Sequence, residues 1–430
     1  MTLKHATIDG IRLHLNTKEN SLLINGYYHV QLNDTAKTEF EYFIDSCHSE
    51  QRDRIIPVTL DKIQKRYNSL LYKKVSREQA DRDLKKLIEA INYFGKGQVP
   101  SHLVGLAQFP DRNAPMRMDL ALTYRCDNQC PHCYLWKNES TTELPTQDWK
   151  RVIDKLWEIG IPQVAFTGGE CTLRSDLPEL VKYAEQMITG VITNGTLLTP
   201  DLAVALKNAN LDWIQVTLES PRKEIHDEMQ GVPGAFEKTV EGISNAVAAG
   251  LSVSVDATIT RKNKNDLPDL IRFAKSLGAH FVGANALINS GRGTSVKPAD
   301  EIPEPELAGI LSNAKETAEV EGIEFNWFLP TCYHNYDPVE NGFGQRCCSA
   351  CSINMLVEPD GTVIPCQSWT TIKLGNIFET PWKKIWDSEI SKKIRNHRFA
   401  PDECEKCDKL DVCGGACPLS HLNGGGSGES

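Results

Sequence analysis

Between Met118 and about residue 320 the apolar residues repeatedly change their spacing, and that rhythm restricts the fold more than any other feature of the chain. Met118, Leu120, Leu122 and Tyr124 alternate with the period of a strand. Trp149, Val152, Ile153, Leu156 and Ile159 then fall on one face of a helix. Gln163-Val-Ala-Phe-Thr reads as a strand and Leu177 to Met187 as a helix, with further strands expected near Val191, Ile214, Val253 and Phe281. About six strand–helix units fit before residue 320. Such alternation predicts parallel strands with covering helices, curved or closed as in a barrel. In such folds the chemistry sits on the loops that leave the C-terminal ends of the strands.

Cysteine usage adds the second constraint. Thirteen of the fourteen cysteines lie between Cys126 and Cys417, most in short-spaced groups. The first ten residues lack the apolar core of a signal peptide, and no apolar run is long enough to span a bilayer. A cytoplasmic location is therefore expected, where stable disulfides are rare. Clustered thiols in that setting point to metal ligation. The net charge of −10 gives no overall basic balance for nucleic acid or an anionic membrane, so neither is expected as a partner.

Cys126-Asp-Asn-Gln-Cys130-Pro-His-Cys133 follows directly on the first strand of the alternating region. Three thiolates on one short loop can hold three irons of a four-iron cluster and leave the fourth open for chemistry. Zinc usually takes four ligands in paired spacings, which this loop does not offer. The C-x3-C-x2-C pattern resembles the signature of radical S-adenosylmethionine (SAM) enzymes. That resemblance implies a [4Fe–4S] cluster on Cys126, Cys130 and Cys133. Its open iron would chelate the amine and carboxylate of SAM, and one-electron reduction would release a 5′-deoxyadenosyl radical.

Three more strand ends fit the same family. Thr167-Gly168-Gly169-Glu170 offers backbone that approaches a ligand closely and an anionic acceptor for an ammonium group; it resembles the motif that binds the SAM amine. Thr193-Asn194-Gly195 ends the third strand and Thr217-Leu-Glu219 the fourth. At the fourth the family often has Ser-Leu-Asp, followed by Arg-Gly, whereas this chain has Gln230-Gly231. Thr217 still donates a hydrogen bond, but Gln230 brings no positive charge, which leaves the counter-charge of the SAM carboxylate open. Glu219 reads equally well as a ligand-facing acid and as a solvated one. The expected SAM contacts are Gly168, Gly169, Glu170, Thr193, Asn194, Thr217, Glu219 and Gln230. Cys171 reads as a packed thiol.

The C-terminal cysteines run Cys347-Cys348, Cys351, Gly361-x4-Cys366, then Cys404-x2-Cys407-x5-Cys413-x3-Cys417. This resembles the SPASM domain that follows the barrel in many radical SAM enzymes. The resemblance implies two auxiliary [4Fe–4S] clusters and three clusters in all. The first would use Cys347 or Cys348 with Cys351, Cys366 and Cys417. The second would use Cys404, Cys407 and Cys413 with a cysteine further on, and none follows Cys417. His421, the spare member of Cys347/Cys348, or Cys332 are the candidates for that place. The x5 and x3 gaps fit a zinc knuckle poorly, and the segment has too little apolar content to fold without metal.

Residues 1–100 hold Cys47 alone among the cysteines. Ile11 to Leu15 and Ser21 to Leu32 suggest strands around an Asn25-Gly26 turn. Asn33-Asp-Thr-Ala-Lys opens a helix carrying Phe40, Phe43 and Ile44, and Arg77 to Ile91 reads as another helix. The stretch resembles PqqD-like domains, small winged-helix modules that pair a precursor's leader peptide to an exposed strand edge. The expected fold is thus α/β. A PqqD-like domain (1–100) and a linker (101–116) precede a partial (β/α)6 radical SAM barrel (117–330); a SPASM domain (331–421) and a tail (422–430) follow.

Together the resemblances imply an enzyme that modifies a ribosomally made precursor peptide, by crosslinking, epimerisation or excision of a backbone fragment. Its partners would be the leader-bearing peptide, an electron donor such as flavodoxin or ferredoxin, and a small accessory peptide-binding protein. A radical SAM enzyme of small-molecule cofactor biosynthesis is the alternative enzyme reading, and a non-catalytic iron–sulfur electron carrier the alternative from another class. A carrier has no need of Thr167-Gly-Gly-Glu170. A sulfatase-maturing enzyme normally has an Asp after the Gly-x4-Cys cysteine, where this chain has Gln367, an amide that accepts no proton.

Overall fold

The structure is a computed structural model. It describes residues 112–135 and 142–422, and before them 3–8, 11–16, 21–24, 28–31, 34–51, 54–69 and scattered positions between 77 and 88. The Asn25-Gly26 turn, most of the expected linker and nearly all of the glycine-rich tail lie outside the described residues. The chain divides into two compact units, the first holding a four-stranded sheet and the second most of a ten-stranded one.

In the first unit, β1 (Leu3–Ile8), β2 (Ile11–Asn16), β3 (Ser21–Ile24) and β4 (Tyr28–Gln31) pair antiparallel in chain order. The alternation at Ile11–Leu15 is therefore a real strand, and its Leu13 and Leu15 are buried. The two strands read around Asn25-Gly26 are β3 and β4, whereas β1 was not expected. Helices Asp34–Ser49 and Ile55–Ser69 follow, and the described positions between Arg77 and Ile88 are helical. Phe40, Phe43 and Ile44 join Leu13, Leu15, Leu22, Ile63 and Leu84 in one core. Among the described residues β4 is an edge of this sheet.

The second unit is built on β5 (Arg117–Thr123), β6 (Gln163–Gly168), β7 (Ile188–Thr193), β8 (Trp213–Thr217), β9 (Val253–Ile259), β10 (Phe281–Ala286) and β11 (Glu324–Trp327). They stand side by side in reverse chain order in an open sheet, parallel wherever the register is defined. This is the expected α/β partial barrel, with β11 as one strand beyond the six foreseen. The helix at Leu177 stops at Tyr183 rather than Met187, because Ile188 already belongs to β7.

Two features depart from the simple pattern. Every residue of β5 from Met118 to Thr123 is buried, Asp119 included. The strand lies between β6 and β12 (Asn354–Val357), so both its faces and both its edges are covered. Arg117 lies in an ion pair with Asp119, and its Nη2 donates to Asp119 Oδ2 at 3.3 Å. The second departure is β12 itself. It comes from the cysteine-rich C-terminal region, yet pairs parallel with β5. A short antiparallel extension follows through β13 (Thr362–Ile364) and β14 (Gly375–Asn376). The sheet thus runs unbroken from the alternating region into the cysteine-rich one.

Candidate active site

Thr123 ends β5, and the loop from Tyr124 to Leu135 carries Cys126, Cys130 and Cys133, none of them in a disulfide. Neighbouring strand ends hold this loop. At Gly168 a Cβ would stand 2.1 Å from the Thr123 carbonyl oxygen, and at Gly169 2.3 Å from that of Arg125. Gly168 also has φ +135, which side-chain-bearing residues rarely adopt. The Gly-Gly pair therefore seats β6 against the cysteine loop, and Gly169 and Glu170 donate backbone N–H groups to Thr123 and Arg125. This is a closer reason for the glycines than the ligand contact expected from sequence.

Glu170 is fully buried. Its Oε1 accepts from the Thr172 N–H (2.9 Å), the Thr172 hydroxyl (2.6 Å) and the Thr193 hydroxyl (2.7 Å), and its Oε2 from the Asn194 N–H (2.7 Å). Burial raises its pKa, and these bonds oppose the rise. One carboxylate thus ties the end of β6 to the turn after β7. That turn reaches the loop in its own right, since Asn194 Nδ2 donates to Asp127 Oδ1 at 2.8 Å and Thr196 Oγ1 donates to the same carboxylate. Asp127 was not singled out from sequence, although its place inside the cysteine motif was the signal available.

Gln230-Gly231 also lies against the loop. Gln230 Oε1 accepts from Asn128 Nδ2 (2.7 Å) and from the Cys130 thiol (3.2 Å), while its backbone oxygen accepts from the Gln129 N–H. Glu219 is buried, so the solvated reading of that acid falls. Its Oε1 lies 3.0 Å from His132 Nε2, inside the cysteine motif, and its Oε2 accepts from the Thr258 N–H at 2.7 Å. Thr217 ends β8 in register with Asp256. Asp256 is buried and its Oδ2 has no partner among the described residues; burial lifts its carboxyl to about 7.

On the third side the Gly293 N–H donates to the Cys133 carbonyl. Arg292 lies near enough to Cys130 to favour its thiolate, and its buried Nε has no partner among the described residues. Sequence reading passed over Arg292, which lies in no motif. Burial pushes the Cys126 thiol up to about 11 and the Cys130 thiol well above its usual value. Bare, these thiols keep their protons at neutral pH, so metal binding must displace protons and strengthens as pH rises.

In the cysteine-rich region Cys351 and Cys413 are buried, and Cys348, Cys366 and Cys417 are half-buried. His421 Nε2 lies 2.8 Å from the Gly415 carbonyl, a hydrogen bond that occupies this nitrogen. Cys171 is buried, with its thiol 3.4 Å from the Ile192 carbonyl, as a packed thiol should be. Among the described residues no three His, Cys, Asp or Glu side chains converge as a single ion requires. A donor set of free thiols grouped on loops fits an iron–sulfur cluster, whose usual ligands are cysteine thiolates.

Residues 120–274 match the Radical SAM superfamily and residues 347–408 match the SPASM iron–sulfur cluster-binding domain. An AdoMet-dependent heme synthase of Oleidesulfovibrio alaskensis is 30% identical over 68% of this chain and 80% of its own. The chain belongs to the radical SAM superfamily. A PqqA peptide cyclase of Ruegeria pomeroyi is 30% identical to this radical SAM protein, over 72% of this chain and 84% of its own. Among solved structures, Streptococcus suis SuiB bound to its precursor peptide SuiA superposes with a TM-score of 0.66 over 97% of this chain and 95% of that one. At 17% identity that likeness shows the fold. Radical SAM and SPASM regions together make this an iron–sulfur, SAM-using enzyme. Among the described residues no helix is long and apolar enough to cross a membrane.

Proposed function

We propose that this radical SAM enzyme modifies a ribosomally made precursor peptide, with Cys126, Cys130 and Cys133 holding the catalytic cluster. The observation that carries the reading is the loop itself: three free thiols at the C-terminal end of β5, clamped from three sides by strand-end turns. With a [4Fe–4S] cluster and SAM bound, such a site supplies reductive cleavage of SAM and a 5′-deoxyadenosyl radical that takes hydrogen from the substrate. The chain's own residues position the loop: Asp127, Gln230 and Gly293 hold it from neighbouring turns. Gly168, Gly169, Thr193, Asn194, Thr217 and Glu219 line the ends where SAM would lie.

Glu170 would meet the SAM ammonium through the remaining lone pair of Oε2, and Arg292 would supply the positive charge for the SAM carboxylate that Gln230 does not bring. Glu170→Gln turns an amide towards groups that already donate, so it weakens both the strand-end turn and the SAM contact. Each charged hydrogen bond contributes about 1.5–3 kcal/mol, and SAM affinity should fall by more than about tenfold with a lower melting temperature. Unchanged affinity in equilibrium dialysis would remove Glu170 from the SAM site. Arg292→Gln should weaken SAM by about tenfold with the melting temperature unmoved, and Arg292→Lys should recover part of the loss. A Gln variant that binds SAM as the wild type does would return the carboxylate question to the start.

Support for a peptide substrate comes from the first unit, which has its own core and an edge strand, and from relatives named for peptide cyclisation and precursor binding. The equally similar heme synthases keep a small-molecule substrate as the second reading. Incubating the reconstituted enzyme, SAM and reductant with the product of a short reading frame beside its gene tests the choice. A mass change in the peptide supports the proposal, and SAM cleavage with the peptide unaltered speaks for the small molecule.

A further inference from the structure

The C-terminal thiols sort into two neighbourhoods. Cys348 lies within electrostatic reach of Cys417 and Cys366, and Cys366 within reach of Cys417 and Cys351. The first neighbourhood thus gathers Cys348, Cys351, Cys366 and Cys417. Cys404, Cys407 and Cys413 form the other neighbourhood, and a four-iron cluster there takes a fourth ligand.

The turn from Thr331 to Tyr336 lies against that second neighbourhood at several points. The Thr331 carbonyl accepts from the Cys413 thiol at 3.4 Å. His334 Nε2 lies 3.2 Å from Cys407 Sγ. Between them in the chain, Cys332 is within electrostatic reach of Cys404. Residues of one turn therefore address each of the three cysteines in the loop from 404 to 413. The turn is also fixed. The Cys332 carbonyl accepts from the Asn335 and Tyr336 N–H groups, and the Cys332 N–H donates to the Glu304 carboxylate at 3.2 Å. Lys409 Nζ pairs with Asp337 Oδ2 at 2.9 Å, which fastens the end of the turn to the same loop.

We propose that Cys332 is the fourth ligand of a four-iron cluster held by Cys404, Cys407 and Cys413, with His334 donating a hydrogen bond to the Cys407 sulfur. The inference rests on the reading that the C-terminal region carries two auxiliary clusters. Cys347 is left as a thiol facing Cys413 without a cluster of its own, and His421 is held by a backbone carbonyl. An N–H···S bond of this kind stabilises the more negative, reduced cluster, so His334 would tune its potential.

The test uses the full chain, reconstituted anaerobically with iron and sulfide, and reads iron content and the electron paramagnetic resonance spectrum of the reduced protein. Wild type should hold about twelve irons. Cys332→Ser should lose between one and four of them and the signal of a single cluster. Cys332→Asp, which keeps an anionic ligand, should retain the iron with shifted g values, and this covers the case in which the serine variant folds badly. Cys347→Ser should match wild type in both measurements. Twelve irons in wild type with both Cys332 variants matching wild type in iron and spectrum would overturn this assignment alone, as would loss of a cluster in Cys347→Ser. About eight irons in wild type would overturn the two-cluster reading and this assignment together.

Discussion

Replacing Cys126, Cys130 and Cys133 together by alanine should abolish 5′-deoxyadenosine formation and remove about four irons per chain, leaving the auxiliary clusters in place. The loss should be complete because no other described thiol is placed to rebuild a cluster on this loop. Cys171 lies behind the end of β6 with its thiol turned to backbone carbonyls. The fold should survive, since the loop's backbone bonds to Gln230, Gly169, Glu170 and Gly293 do not pass through sulfur. Iron analysis and chromatography of SAM reduced by dithionite decide the matter. A triple variant that still yields 5′-deoxyadenosine would refute the central claim.

The second large effect concerns the first unit. Removing the leader from the precursor should cut turnover sharply, while uncoupled SAM cleavage by the intact enzyme stays nearly constant. The sheet of this unit ends at β4 among the described residues, and an edge strand leaves backbone donors and acceptors for an extended peptide. If a leader docks there, tethering would raise the concentration of the core peptide at the reacting centre, commonly to the millimolar range for a short flexible link. A proline at Val30, within β4, removes a backbone donor and should weaken leader binding if this edge is the dock. Equal turnover of full and leaderless peptide would end the docking idea and move the protein towards its small-molecule relatives.

The sequence made the barrel legible because each strand and helix carries its own period. Val152, Ile153 and Leu156 are buried as their spacing required. It was silent on β12, because four residues of a short parallel strand have no local signal that names a partner on the far side of the chain. The cysteine spacings announced the metal chemistry. They said nothing of Asp127, His132 or Arg292, whose parts depend on which strand ends fold back on the loop. Gln230 brings no positive charge, but the geometry makes it a clasp on Asn128 and on the backbone of Gln129. Side-chain chemistry can be read from letters, but the neighbour it serves belongs to the topology.

The pairing of β5 with β12 has a consequence during synthesis. Asn354 pairs with Arg117 across more than half the chain. At about 5–20 residues per second, the ribosome needs on the order of ten to fifty seconds to deliver the covering strand after β5 has emerged. For that interval Arg117 to Leu120 form an uncapped edge beside a loop of bare thiols, the condition under which nascent chains associate with one another. Any product that terminates before Asn354 keeps that edge for good, so prematurely ended chains of this protein should collect in the insoluble fraction.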